Sequence, residues 1–166
     1  MGKRAEKDEK EFCASVWILT KSSPKKILLV HHKKFDMWLQ PGGHVENNEN
    51  PVETAIREVM EETGVDISFL KDRKERIDKD GTFLILPQFI LEETIPEYKD
   101  QPQHFHTDIQ YVVEVEETKL KHNPSESHDI RWFTNEEVKN IKIHEDTRRI
   151  LIKLFDPINT IAISKS

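Results

Sequence analysis

The sequence is short of several things, and each shortage excludes something. It has one cysteine, Cys13, five glycines, and a formal net charge of −6 at pH 7 over 166 residues. A lone cysteine cannot form an internal disulfide, and its place in the apolar run F-C-A-S-V-W-I-L suits a small buried side chain. No stretch of about 18 apolar residues occurs, so no membrane-spanning helix is expected. The opening M-G-K-R-A-E-K-D-E-K carries charge where a secretory leader would carry an apolar segment. The cytoplasm is therefore the expected location. An excess of positive charge is missing too. A non-specific nucleic-acid binder needs basic surface to displace counterions from phosphates, so the balance argues against that role. It leaves room for a small anion held through a metal, because a cation reverses the local field.

What the chain does have is bulk for one core. Trp17, Trp38, Trp132 and eight phenylalanines are spread over a length that a single domain can serve. No repeat or low-complexity tract interrupts it. Residues 1–10 read as a flexible charged tail and residues 11–160 as one domain. Cys13 to Leu19 and Ile27 to Val30 read as strands joined by the loop K-S-S-P-K-K. The bulky segment F-D-M-W-L-Q then runs into Pro41-Gly42-Gly43, which reads as a turn.

The clearest helix covers residues 51–63. Asn50 is a good N-cap, Pro51 suits the first position, and Glu53 stands where its carboxylate can return a hydrogen bond to the cap. Val52, Ala55, Ile56 and Val59 form one apolar stripe, and Gly64 can end the helix in a left-handed conformation. Beyond it, residues 66–70, 83–91, 104–115 and 130–133 read as strands. Thr134 and Glu137 have capping-box spacing for a short helix, and an amphipathic helix is expected over residues 145–155. Several strands around an early helix, with helices at the end, point to an α/β/α sandwich; the alternation is too irregular for a doubly wound parallel sheet.

The chemistry is concentrated in R-E-V-M-E-E-T-G, residues 57–64. Glu58, Glu61 and Glu62 are three and four positions apart and share one helix face. Their mutual repulsion costs stability unless something relieves it. Arg57 can reach Glu61, and a divalent cation would relieve more, Mg²⁺ being suited to carboxylate, water and phosphate oxygens. Three glutamates alone read more readily as a solvated acidic face than as a metal site.

Residues 43–65, G-H-V-E-N-N-E-N-P-V-E-T-A-I-R-E-V-M-E-E-T-G-V, resemble the signature box of the Nudix hydrolases, the MutT-like family. Gly43, Glu49, Arg57, Glu58, Val59, Glu61, Glu62, Gly64 and Val65 fill every fixed position of that box. The resemblance implies an α/β/α sandwich with a mixed sheet and a loop-helix-loop metal site. It implies Mg²⁺, with Mn²⁺ as a substitute, held by Glu58, Glu61 and Glu62 and by a backbone carbonyl of Gly42 or Gly43. Glu49 would organise the loop, and Arg57 would orient the carboxylates through salt bridges. The reaction implied is attack of water at one phosphorus of a diphosphate linkage, with metal ions withdrawing charge from the phosphate oxygens. The general base would be Glu61 or Glu62 of the box, or Glu126 in the later loop N-P-S-E-S-H-D.

Outside the box, the run H-F-H-T-D-I-Q-Y-V-V puts His104, His106, Asp108 and Gln110 on one side of a strand. That side can line a substrate cleft, face solvent, or ligate an additional metal through two histidines and an aspartate. His44 follows the glycines and is a candidate phosphate contact. Trp38 can pack beneath the box or stack on a flat group of the substrate. The substrate expected is a small nucleoside diphosphate derivative: a nucleoside triphosphate, a dinucleoside polyphosphate or a nucleotide sugar. An RNA 5′ end and a catalytically inactive binding module are the alternatives. The chain is expected as a monomer or homodimer, without a membrane partner.

Overall fold

The computed structural model describes residues 5–158 and 162–164. The first four residues of the expected tail and the expected domain end at residue 160 lie outside them. In chain order the strands and helices are β1 (Lys10–Thr20), β2 (Lys26–His32), β3 (Met37–Leu39), β4 (Gly42–His44), α1 (Pro51–Thr63), β5 (Glu75–Arg76), β6 (Thr82–Phe83), β7 (Phe89–Ile95), β8 (His104–Val115), β9 (Ser127–Thr134), α2 (Asn135–Val138), α3 (Glu145–Phe155) and β10 (Ile163–Ser164).

A strand flanked by others and covered on both faces needs apolar residues in unbroken succession, and β1 has them: every residue from Cys13 to Thr20 is buried. It pairs in parallel with β8 along its whole length, from Lys10 opposite Phe105 to Thr20 opposite Val115. Its other edge is shared by β4 near the start and β2 near the end, both antiparallel. β2 also pairs with β3 and β9, and β8 with β7 and β10, giving one mixed sheet of eight strands among the described residues. β5 and β6 make a separate two-stranded hairpin.

Period-two alternation sends β1 side chains to two different cores. Ala14, Val16 and Ile18 pack with Leu28, Tyr111 and Val113 against Val52, Ala55 and Val59 of α1. Trp17 and Leu19 pack with Ile27, Leu29, Val112 and Phe133 against Val138 of α2 and Leu151 and Leu154 of α3. Helices thus cover both faces, and the layering is an α/β/α sandwich. Among the described residues no helix is long and apolar enough to cross a membrane.

α1 begins and ends as the local chemistry dictates. The Asn50 side chain accepts from the amides of Val52 and Glu53 at 3.0 and 3.1 Å, and Glu53 accepts from the Asn50 amide at 3.0 Å. Gly64 takes φ 73°, and its amide donates to the Met60 carbonyl at 3.0 Å. A side chain there would be strained in the left-handed region, and its Cβ would fall 2.7 Å from Lys121 Cβ.

Four expectations change. Residues 66–70 do not form a strand: Ser68–Arg73 is a 3-10 helix, with Leu70 buried beneath it. One strand over residues 83–91 is replaced by two, because β6 ends at Phe83 and β7 starts at Phe89. Gly42 and Gly43 do not make a turn; they lie in β4, paired with Ser15 and Ala14. The charged lead-in is also held from residue 5, where Ala5 is buried, and the Asp8 amide donates to the Gln103 carbonyl at 2.9 Å.

Candidate active site

The face of the sheet that carries Trp17 and Val112 changes character toward the start of β1. Continuing the same alternation backward, Ser15, Cys13 and Glu11 of β1 lie beside Gln110, Asp108, His106 and His104 of β8. A cleft of about 1130 Å³ opens over this polar extension, with Asp146 and Thr147 of α3 among the residues that line it. β4, with Gly42, Gly43 and His44, forms one wall, and Glu58 and Glu62 of α1 reach the cleft past it.

Glycine is required at position 43 by that approach. A Cβ on Gly43 would overlap the Glu58 carboxylate, so any larger residue would push the carboxylate from its place. The Gly42 amide donates to Glu62 Oε2 at 3.0 Å. Burial pushes the Glu62 carboxyl up to about 8, against the pull of this hydrogen bond, with Glu58, Glu126 and Glu61 adding to the rise. Burial also raises Glu58, partly opposed by Arg57. Two desolvated carboxylates with neighbouring negative charge are a strained arrangement that a hard cation would relieve. The donors are all oxygens, and the missing Cβ lets the Glu58 carboxylate sit against the glycine strand. The set fits Mg²⁺.

Arg57 organises this end of α1. Its Nε and Nη2 donate to Glu49 at 2.7 and 2.9 Å, and its Nη1 donates to Glu58 at 2.6 Å and to Glu61 at 3.4 Å. Glu49 also accepts from Thr54 Oγ1 at 2.9 Å. These bonds hold the Glu49 carboxyl down at about 2, with Arg57 the main cause. Glu61 is the most exposed of the three helix glutamates and does not line the cleft. Glu126 does line it, and its charge is felt by both Glu58 and Glu62.

The floor is a hydrogen-bonded polar group. Asp108 Oδ2 accepts from Ser15 Oγ at 2.7 Å, Gln110 Nε2 at 2.8 Å and Gln40 Nε2 at 3.4 Å, and Gln110 Oε1 accepts from Trp17 Nε1 at 3.0 Å. Asp108 Oδ1 and Gln40 Oε1 are buried and have no hydrogen-bond partner among the described residues. Such atoms are costly unless a ligand or water meets them. Burial raises the Asp108 carboxyl. Glu93 of β7, raised to about 7 by burial, Asp108 and Asp146, stands beside this group.

The structure brings Glu58, Glu62, Gly43, His44, His106, Asp108 and Glu126 to one cleft. It does not bring Trp38. That ring stacks on His31 at 5.0 Å and meets Phe133 edge-on at 4.7 Å, packing against the core cluster that includes Leu151 and Leu154 of α3. His104, His106 and Asp108, one expected set of ligands for an additional metal, do not form a group; close ligand atoms are instead found in Glu11, His104 and His106 and in Cys13, His44 and His106. Asp108 turns to Ser15 and Gln110, while Glu11 stands with the histidines. Sequence reasoning missed Glu11, Ser15, Gln40 and Glu93. Period-two alternation along β1 could have found Glu11 and Ser15 had the strand been started at Lys10. Gln40 and Glu93 carry no such signal, because only the sheet brings them near Asp108.

An acidic helix packed on a glycine strand at the mouth of a mixed-sheet cleft gathers oxygen donors of the kind a hard cation prefers. A family model described as NUDIX domain matches residues 11–155, and the chain belongs to that family. A probable DHNTP pyrophosphohydrolase of Lactococcus lactis subsp. cremoris is 34% identical over 96 residues, which are 58% of this chain and 51% of the relative. An RNA pyrophosphohydrolase of Bartonella clarridgeiae is 25% identical over 128 residues, 72% of this chain and 70% of the relative. The matched segment spans about half or less of the first curated relatives. Among solved structures, a NUDIX-family hydrolase from Clostridium perfringens superposes with a TM-score of 0.67 at 28% identity. That match covers 90% of this chain and 98% of the other.

Proposed function

We propose that this chain is a Mg²⁺-dependent pyrophosphohydrolase that cuts the diphosphate linkage of a small nucleoside diphosphate derivative by attack of water at phosphorus. The observation that carries the reading is the pair of desolvated carboxylates, Glu58 and Glu62, at the glycine strand, braced by Arg57 and Glu49. Membership of a family whose relatives include pyrophosphohydrolases supports the same chemistry.

Glu58 and Glu62 would hold the cation, with a carbonyl of Gly42 or Gly43 beside them and Glu61 contributing from the exposed edge. The cation supplies charge withdrawal from the phosphate oxygens and acidifies the attacking water. The chain's own residues do the rest. Arg57 keeps the carboxylates in one orientation, and its bidentate grip on Glu49 ties α1 to the preceding loop. Glu126, which lines the cleft and acts electrostatically on both Glu58 and Glu62, is the candidate to take the proton from water; Glu62 is the alternative within the box. Asp108 and Gln40, each with an unmatched buried oxygen, are suited to reading the polar edge of a base or similar ring, and His44 and His106 lie between that floor and the carboxylates.

A small substrate is favoured over an RNA end by the cleft's own charge. Glu9, Glu11, Glu46, Glu92 and Glu93 line it, and a long anionic strand laid across them would be repelled, whereas a compact diphosphate can be neutralised by the cation. The test is a hydrolysis panel of nucleoside and pterin triphosphates, dinucleoside polyphosphates, sugar nucleotides and triphosphorylated RNA, run with Mg²⁺ and with products resolved in ¹⁸O-water. Release of pyrophosphate or nucleoside monophosphate from a small member is expected. Tight nucleotide binding with no turnover on any member would mean a binding module instead.

A further inference from the structure

Glu11, His44, His104 and His106 come from three adjacent strands; the ligand atoms of Glu11, His104 and His106 lie together, and His44 adjoins them through Glu11 and His106. Glu11 is opposite His106 in the parallel β1–β8 register, and His44 is opposite Cys13 in the antiparallel β1–β4 register, so all of them lie on the same face. Glu11 Oε2 is 3.3 Å from His44 Nε2, 3.7 Å from His106 Nε2 and 3.8 Å from His104 Nε2, and the His44 and His106 Nε2 atoms are 3.3 Å apart. Donor atoms about 2.0–2.1 Å from a tetrahedral centre lie about 3.3 Å from one another, which is the spacing zinc ligands adopt.

The surroundings favour the same use. His104 Nδ1 is 2.8 Å from the Pro102 carbonyl, which makes Nδ1 the protonated nitrogen and leaves the Nε2 lone pair aimed at the cluster. That outer hydrogen bond is the one that metal-ligating histidines usually make. Glu11 and His106 are largely shielded and His104 is buried, which limits competition from water.

We propose that Glu11, His44, His104 and His106 form a binding site for a borderline-soft divalent cation such as Zn²⁺, separate from the glutamates of α1. Imidazole nitrogens suit zinc, nickel or copper, whereas Mg²⁺ prefers the all-oxygen set on the helix. Four protein ligands close a tetrahedral site, so its role is to pin β1, β4 and β8 together at the mouth of the cleft. β4 also carries Gly42 and Gly43, and the ion would thereby steady the strand against which Glu58 and Glu62 pack.

The test titrates Zn²⁺, and Co²⁺ as its spectroscopic substitute, into the full chain purified without a histidine tag, in excess Mg²⁺. One equivalent is expected to bind, with intense visible Co²⁺ bands of tetrahedral type and a rise in thermal midpoint that a chelator reverses. Glu11→Gln, close in shape, and His44→Ala, at an exposed position, should each weaken Zn²⁺ binding at least tenfold while remaining folded by circular dichroism. Glu61→Gln should leave it unchanged. Absence of Zn²⁺ binding in excess Mg²⁺ would overturn the proposal, as would Zn²⁺ binding that survives Glu11→Gln and disappears in Glu61→Gln. Neither result depends on hydrolytic activity, so the proposed reaction stands or falls separately.

Discussion

Glu62 shows how a single side chain can work against the fold that carries it. Its carboxyl holds a proton up to about pH 8 in the metal-free native state, while an unfolded chain releases it near 4.5. A raised acid pKa means that the native state is favoured below 4.5 and loses that advantage as pH rises toward 8. Glu62→Gln should therefore make the metal-free protein more stable than the parent at pH 8, seen as a higher thermal midpoint. Turnover should meanwhile fall by at least about 100-fold, since a ligand loss exceeds the usual effect of losing a supporting contact. Glu49 has the opposite sign. Its carboxyl is held at about 2, so its contribution to stability is present above 4.5 and lost as pH falls toward 2. In Glu49→Gln the acid limb of the stability profile should flatten over that window, a result checked by denaturant melts at stepped pH. Gly43→Ala should keep the fold and lose at least tenfold in activity, because its new Cβ would displace the Glu58 carboxylate. An unchanged rate would show that Glu58 is not needed where the structure has it.

The element that matters most is α1, and nearly all of it was legible in the sequence. Asn50, Pro51, Glu53 and Gly64 are local signals, and each acts on backbone groups within a turn of itself. Asn50→Ala should cost about 1 kcal/mol, or a midpoint shift of about 2–4 °C, with little change in turnover because Glu58 lies two turns away. β4 was illegible for the opposite reason. Gly-Gly after proline reads as a turn from local propensity, yet pairing with Ser15 and Ala14 makes it a strand, and that pairing lies far away in the chain. The 3-10 helix at Ser68–Arg73 is a similar case: Ile67 and Leu70 bury their side chains against α1, which a short apolar run cannot specify in advance.

At the scale of the whole molecule, the site and the cores are separate structures on one sheet. The cluster around Trp17 and Leu19 lies further along β1 than the cleft, and the cluster around Ala14, Val16 and Ile18 lies on the other face of the sheet. Removing divalent cations should therefore abolish hydrolysis while leaving far-ultraviolet circular dichroism unchanged, and Mg²⁺ should restore the rate. A loss of secondary structure on chelation would mean that the cation holds the fold itself.

By itself the sequence determined the family, the acidic helix with both its caps, and the alternation that separates His104, His106 and Asp108 from the apolar side of β8. All of these are written in spacings of a few residues, where the chain's own periodicity decides which groups share a face. Only the tertiary structure decided that Glu11 joins the histidines, that Trp38 is packing, and that Gln40 and Ser15 meet Asp108. Those neighbours are set by strand pairing between segments up to about ninety residues apart, and no local pattern encodes which strand will lie beside which.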